Sequence, residues 1–218
     1  MLSGENLTKS FGKTEALQNV NIIVERGQIT ALIGPSGGGK TTLIRALSLL
    51  DSPDSGTISV DSTEYQFPLA EGISIQPPWP NITVVFQQLF LWPHLTLREN
   101  ITLPLRNRNS QDSEKRLKEL IDAFDMTGFI DRYPNKTSLG QRQRTALVRA
   151  LVLNPSYILL DEITSALDVE NVSVILEHLQ GLRDKGIGIL MVTHLIGFAR
   201  RAADLVVFLD GGKVIESG

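Results

Sequence analysis

At 218 residues the chain has the length of one domain, or of one domain with a small lobe. A chain of this size buries roughly 70% of its unfolded surface, enough for a core without disulfides or structural metal. Hydrophobic residues make up 42% and charged residues 21%; 21 basic and 24 acidic side chains leave a formal charge of −3, which gives no general pull toward nucleic acid or an anionic membrane surface. The absence of cysteine excludes a disulfide scaffold, thiol catalysis and any cysteine zinc site, and it suits a reducing compartment.

The opening Met1-Leu2-Ser3-Gly4-Glu5-Asn6 has neither the basic start nor the apolar core of a signal peptide. Ile29-Thr30-Ala31-Leu32-Ile33 reads as a buried strand that runs into a glycine cluster, and Thr41 to Leu50 as the helix after it. Pro53-Asp54-Ser55-Gly56 predicts a turn, and Gly56 to Val60 the start of another strand. The stretch through Pro68, Pro77, Pro78 and Pro80 predicts an irregular surface excursion, and Thr83 to Phe86 a strand.

From about Leu95 to Leu153 the pattern turns helical. Leu117, Leu120, Ile121 and Phe124 recur at i, i+3, i+4 and i+7 behind an Asp112/Ser113 cap. Tyr157-Ile158-Leu159-Leu160 and Ile187 to Val192 return to the continuous apolar character of parallel strands covered on both faces. Gly186 to Phe198 is the most apolar stretch, but Thr193 and His194 interrupt it and it is too short to span a bilayer. Leu205 to Leu209 and Lys213 to Ile215 predict a hairpin around Asp210-Gly211-Gly212. The alternation predicts an α/β fold: a sheet-bearing core with helices inserted in its middle.

Two motifs carry chemistry. Gly34-Pro35-Ser36-Gly37-Gly38-Gly39-Lys40-Thr41 satisfies G-x-x-x-x-G-K-[ST] between a strand and a helix. Glycines let successive backbone N–H groups converge on a polyphosphate, and the helix that follows adds its positive end. Lys40 supplies a cation to the β and γ phosphates, and the Thr41 hydroxyl is a hard oxygen ligand for Mg²⁺. The second motif, Tyr157 to Glu162, delivers two acids at the carboxyl end of a strand, where ligands bind in open α/β sheets. Asp161 suits Mg²⁺, and Glu162 suits a base that orients and deprotonates the attacking water. A GTPase reading fails, because Asn135-Lys136-Thr137-Ser138 has serine where N-K-x-D needs aspartate. His94, His178 and His194 have no metal-ligand spacing.

With these motifs in place, the chain resembles the ATP-binding subunit of an ABC transporter along nearly its whole length. The resemblance implies a P-loop NTPase core of ABC ATPase type over residues 1–87 and 156–218, with an N-terminal antiparallel β region and an inserted α-helical subdomain at about 88–155. It places Phe11, in Lys9-Ser10-Phe11-Gly12, on adenine, and the phosphate loop through Thr42 on the phosphates. Gln87, after Val85-Phe86, falls on the glutamine that contacts Mg²⁺ and the attacking water. Ser138, Gly140 and Gln141 fall on the signature that completes the ATP site of the opposite subunit, and Arg142-Gln143-Arg144 follows. Asp168, in Ser165-Ala166-Leu167-Asp168, matches the loop after the catalytic glutamate, and His194 matches the switch histidine.

The implied assembly is a head-to-tail homodimer holding two ATP on the inner face of the cell membrane. Its partners are an integral membrane permease and, indirectly, a substrate-binding protein, with no role for nucleic acid. Leu89 to Leu97, with Phe90, Trp92 and Pro93, falls where the family meets its permease. Val192-Thr193-His194, Gly197-Phe198-Ala199-Arg200 and Asp210-Gly211-Gly212 are most similar to importers of polar amino acids. Two departures keep alternatives open. Leu139 stands where the signature has glycine, and Ile163 where proline follows the glutamate. A cassette serving another permease, of exporter or lipoprotein-release type, and a weakly hydrolysing nucleotide-binding module are the other readings.

Overall fold

The computed structural model describes every residue except 71, 73, 107–110 and 164–168, and residues 169–174 as backbone only. Ser165, Ala166, Leu167 and Asp168 therefore lie outside the described residues.

Among the described residues the chain builds two sheets. Strands β1 (Leu2–Phe11) and β2 (Thr14–Val24) form an antiparallel hairpin, and β4 (Ser55–Val60) and β5 (Thr63–Phe67) form a second one. They join in the order β2-β1-β4-β5, the antiparallel region that the family resemblance implies. The second sheet has the order β10-β9-β3-β8-β7-β6. Its strands are β3 (Ile29–Ile33), β6 (Ile82–Val85), β7 (Tyr157–Asp161), β8 (Gly188–Val192), β9 (Leu205–Asp210) and β10 (Lys213–Ser217). All neighbours in it run parallel except the β9–β10 hairpin.

Successive side chains on the central strands divide between two cores, because the side-chain period of a strand is two. Ile29 and Ala31, Ile158 and Leu160, and Ile189 and Met191 enter one apolar cluster, which also holds Leu97, Leu147 and Phe198. Leu32, Leu159, Leu190 and Val192 enter the other, against the N-terminal sheet and Leu43 and Leu47. Burial on both faces is why β3, β7 and β8 read as unbroken apolar runs.

The helices are α1 (Lys40–Leu47), α2 (Leu97–Thr102), α3 (Gln111–Ala123), α4 (Leu139–Leu151), α5 (Val169–Asp184) and α6 (Ile196–Ala202). Helices α2, α3 and α4 all fall between β6 and β7. Thr96 starts α2 with a complete capping box to Glu99, and Ser138 starts α4 with one to Gln141. One expectation is corrected. Helix α3 is already formed at Gln111, so Asp112 and Ser113 lie inside its first turn instead of capping it, where Asp112 still favours the positive helix end. Helix α1 likewise begins one residue earlier than the pattern suggests and ends at Leu47.

Candidate functional site

Strands β3, β8 and β7 are neighbours and parallel, so their carboxyl ends open side by side. The first leads into the loop from Gly34 to Gly39, the second into Thr193 and His194, and the third ends in Asp161 and Glu162. Sheet order thus gathers residues as far apart in the chain as Ser36 and His194 into one cleft of about 730 Å³. Ser36, Gly37, Gly39, Lys40, Thr41 and Thr42 line it, together with Gln87, Glu162 and His194.

The phosphate loop has its shape for two local reasons. Gly34 (φ 153°) and Gly39 (φ 101°) hold backbone conformations that L side chains rarely adopt. A Cβ at Gly34 would lie 1.9 Å from the Leu209 carbonyl oxygen, and one at Gly39 would lie 2.4 Å from that of Ala16. Neither position can carry a side chain without moving backbone. Gly39 is the N-cap of α1, so Lys40 and Thr41 open that helix at its positive end. Lys40 is buried, and its ammonium donates to the carbonyls of Gly34 and Pro35, both at 2.9 Å, which curls the side chain over the loop.

The acids sit opposite. Asp161 is 4% exposed and lies beside the Thr41 hydroxyl. Its Oδ1 is buried with no hydrogen-bond partner. Burial pushes the Asp161 carboxyl above its ordinary range, opposed by the neighbouring Thr41 hydroxyl and reinforced by the charge of Glu162. A buried carboxylate oxygen without a partner, beside a threonine hydroxyl, is a hard-oxygen donor set that fits Mg²⁺.

Glu162 adopts φ 51°, left-handed backbone that a glutamate holds only when its surroundings impose it. Its N–H donates to the Val192 carbonyl at 3.1 Å, which ties the turn to β8. His194 Nε2 lies 2.6 Å from Glu162 Oε1. Thr193 Oγ1 accepts from the N–H of Leu195 at 3.1 Å and shapes the loop that presents the histidine.

Other expected residues are placed as follows. Phe11 is 53% exposed at the end of β1 and not a core residue; the Lys9 ammonium lies 5.7 Å over its ring, and it is not among the side chains lining the cleft. Ser138 is exposed at the start of α4, and its Oγ accepts from the N–H of Gln141 at 3.2 Å. The Gln141 side chain folds back to accept from the N–H of Ser138 at 3.0 Å. Leu139 is the first helical residue of α4 and is absent from the positive-φ positions, so this backbone does not require glycine there. Ile163 is 2% exposed and joins the larger apolar cluster.

Two contributions escape sequence reasoning. The β9–β10 turn braces the phosphate loop: the N–H of Gly212 donates to the Gly38 carbonyl at 3.1 Å, while Gln18 reaches Gly211 and Gly212 through Nε2 and its N–H. The Gly-Gly pair signalled a hairpin, but its partner, Gly38, far earlier in the chain, had no signal. Gln143, within Arg142-Gln143-Arg144, reaches the backbone beside Glu162, and only its polarity at a buried helical position could have marked it.

Residues 17–165 match the family described as ABC transporter. The chain is similar to the arginine transport ATP-binding protein ArtM of Bacillus subtilis, at 39% identity over 100% of this chain and 91% of that protein. It is similar to the glutamine transport ATP-binding protein GlnQ of Escherichia coli at 38%, with the same coverage. Among solved structures, the dimeric post-hydrolysis state of the ATP-binding cassette MJ0796, bound to ADP and Pi, matches with a TM-score of 0.85 at 32% identity. That match covers 100% of this chain and 98% of the other.

Proposed function

The chain belongs to the ABC transporter family and is an ATP-binding, ATP-hydrolysing subunit of it; from that premise we propose that it powers the import of polar amino acids through a membrane permease. The relatives named for arginine and glutamine transport support this cargo class. No helix of the described residues is long and apolar enough to cross a membrane, so a separate permease would supply the path. Phe90 and Trp92 are 61% and 51% exposed; Phe90 meets Phe86 edge-on, with ring centroids 6.0 Å apart, and Phe86 lines an apolar cleft with Trp79, Ile82 and Val84. Solvent-facing aromatics of this size suit a docking face for that permease, which would hold the subunit on the inner side of the membrane.

In this proposal the N–H groups of Gly37 to Thr41 and the ammonium of Lys40 bind the phosphates of ATP, and Phe11 stacks on adenine. Asp161, Thr41 and Gln87 would hold Mg²⁺, which would supply positive charge to the phosphates. Glu162 orients a water for in-line attack on the γ-phosphorus and takes its proton. The new O–P bond forms as the bond to the β-phosphate oxygen breaks, giving ADP and phosphate. His194 engages Oε1 of that carboxylate and fixes its direction, which leaves Oε2 for the water. A second copy, packed head to tail, contributes Ser138 and the N–H groups at the start of α4 to the γ-phosphate. Asp168 belongs to the same proposal but lies outside the described residues.

The observation that carries the reading is the convergence of the phosphate loop with the Glu162–His194 pair on neighbouring strand ends. Glu162→Gln keeps the size and a hydrogen bond to His194 but removes the base. Turnover is expected to fall by about 10²–10⁴-fold with ATP binding retained. Hydrolysis at the parent rate would remove Glu162 from this role.

A further inference from the structure

Helix α4 carries the signature at its first residues and three consecutive polar side chains after it. Arg142 donates through Nη1 to the carbonyls of Pro134 and Thr137, both at 3.2 Å, and so holds the loop that enters the helix. Arg144 donates to the carbonyls of Phe124 and Asp125 and lies 5.0 Å over the Phe129 ring, which joins α4 to the segment after α3. Both arginines brace their own surroundings. Gln143, between them, points elsewhere because successive helical residues are rotated by about 100°.

Gln143 is 5% exposed, and its Nε2 donates at 2.7 Å to the carbonyl of Ile163, twenty residues away on the turn that leaves β7. Its other amide atom, Oε1, is buried with no hydrogen-bond partner. An amide half satisfied in an apolar core is a poor choice for stability alone, since an apolar side chain of the same length leaves no orphan of its own. The carbonyl it grips belongs to the residue next to Glu162, whose backbone is already in the left-handed region at φ 51°. Five residues, a rise of about 7.5 Å along α4, separate Gln143 from Ser138. A single rigid helix therefore connects a serine at one end to the backbone of the base through one side-chain hydrogen bond.

We propose that Gln143 is a positioning residue that makes the placement of Glu162 depend on where helix α4 lies. The proposal rests on the head-to-tail reading of the ATP sites given above. In that arrangement Ser138 of one subunit sits on the nucleotide of the other, whereas Glu162 serves the nucleotide of its own subunit. The Gln143 amide then joins the two sites within each chain: seating of the signature at one site sets the base at the other. Arg142 and Arg144 do not have this role, because neither reaches β7.

The test is steady-state ATP hydrolysis by the full chain, measured against ATP concentration for the parent, Gln143→Met and Leu147→Val. Methionine keeps the length and burial and removes the donor. Leu147→Val perturbs the same helix one turn on, in the same apolar cluster, without touching the link. Gln143→Met is expected to fold and to keep its KM for ATP within about twofold. Its kcat should fall at least tenfold, and its Hill coefficient should drop to about 1 from a parent value above 1, while Leu147→Val keeps the parent kcat and cooperativity. A folded Gln143→Met with parental kcat and Hill coefficient overturns the proposal. If the methionine variant does not fold, Gln143→Leu, which also removes the donor, takes the same two measurements. Failure of both to fold also overturns it, because the contact would then hold the subunit together instead of linking its sites. A parent that hydrolyses no ATP defeats the functional reading itself, and that outcome is distinct from a parent that hydrolyses ATP and a variant that matches it.

Discussion

Leu139→Gly restores the glycine that the family resemblance places in the signature, and its effect can be worked out from the start of helix α4. Leu139 is the first helical residue, half-buried, with Ser138 as a fully formed N-cap before it. The N–H groups of Leu139 and Gly140 belong to the unpaired set at any helix start, so the leucine withholds neither donor. A missing donor to the transition state would cost about 2.7–4 kcal/mol, or 10²–10³ in rate. A glycine on helical backbone costs about 0.5–1 kcal/mol in conformational entropy. Loss of a half-buried leucine side chain costs roughly 1 kcal/mol more. The expected outcome is a Tm lower by roughly 3–8 °C for a domain of this length, with kcat in the presence of the permease changed by no more than about threefold. Calorimetry and a steady-state ATPase assay read the two numbers. A gain in kcat of about tenfold or more would refute the reasoning, because it would show that the leucine side chain keeps the neighbouring nucleotide from closing on those donors, and it would favour the weakly hydrolysing alternative.

Two further outcomes concern pH and stability. His178 stacks on Phe124 at 4.1 Å between ring centroids, and burial, with the charge of Arg144 adding to it, lowers its pKa below the ordinary histidine value. The unfolded chain then binds the proton more tightly than the folded one, so stability falls as pH drops below about 6.5, and the loss levels off below the folded pKa. His178→Phe should flatten the Tm between pH 7 and pH 5, and an unchanged slope there would assign the pH dependence to another group. Burial tends to raise the carboxyl of Asp61, but hydrogen bonds from Arg26, Tyr157, the Met1 amine and Asn81 outweigh it and hold the group well below the usual carboxylate range. Such a group stabilises the fold above about pH 4, and the contribution is lost as pH falls further. Because Arg26 is half exposed, the network is discounted for solvent: Asp61→Asn should cost about 1–2 kcal/mol at pH 7, or roughly 2–8 °C in Tm, and somewhat less at pH 3, where the loss has begun but the folded carboxylate is still ionised. A Tm unchanged at pH 7 would show the cluster to be incidental.

The local chemistry of the site was legible because it is written in short segments. The phosphate loop occupies eight consecutive residues flanked by a strand and a helix, and the steric demands at Gly34 and Gly39 confirm why those two positions are glycine. Asp161 and Glu162 were legible for a similar reason, since four apolar residues before them specify a strand buried on both faces. The start of α3 was misplaced because Asp112 and Ser113 are common both as caps and as first-turn residues, and side-chain type alone does not separate the two positions.

Pairing was not legible. That β3 lies between β8 and β9, and that β7 follows β8, is a choice of sheet order that brings Lys40, Glu162 and His194 to one cleft from three distant segments. The same holds for Gly212 against Gly38 and for Gln143 against the Ile163 carbonyl, whose partners are far apart in the chain and joined by backbone atoms that every residue type supplies. The amino-acid sequence by itself therefore determined which groups can bind phosphate, metal and proton, because side-chain chemistry and strand or helix period are local properties. Tertiary structure alone decided which of them meet, how Glu162 is aimed and what the signature helix is tied to, because those depend on strand order and on contacts across the core.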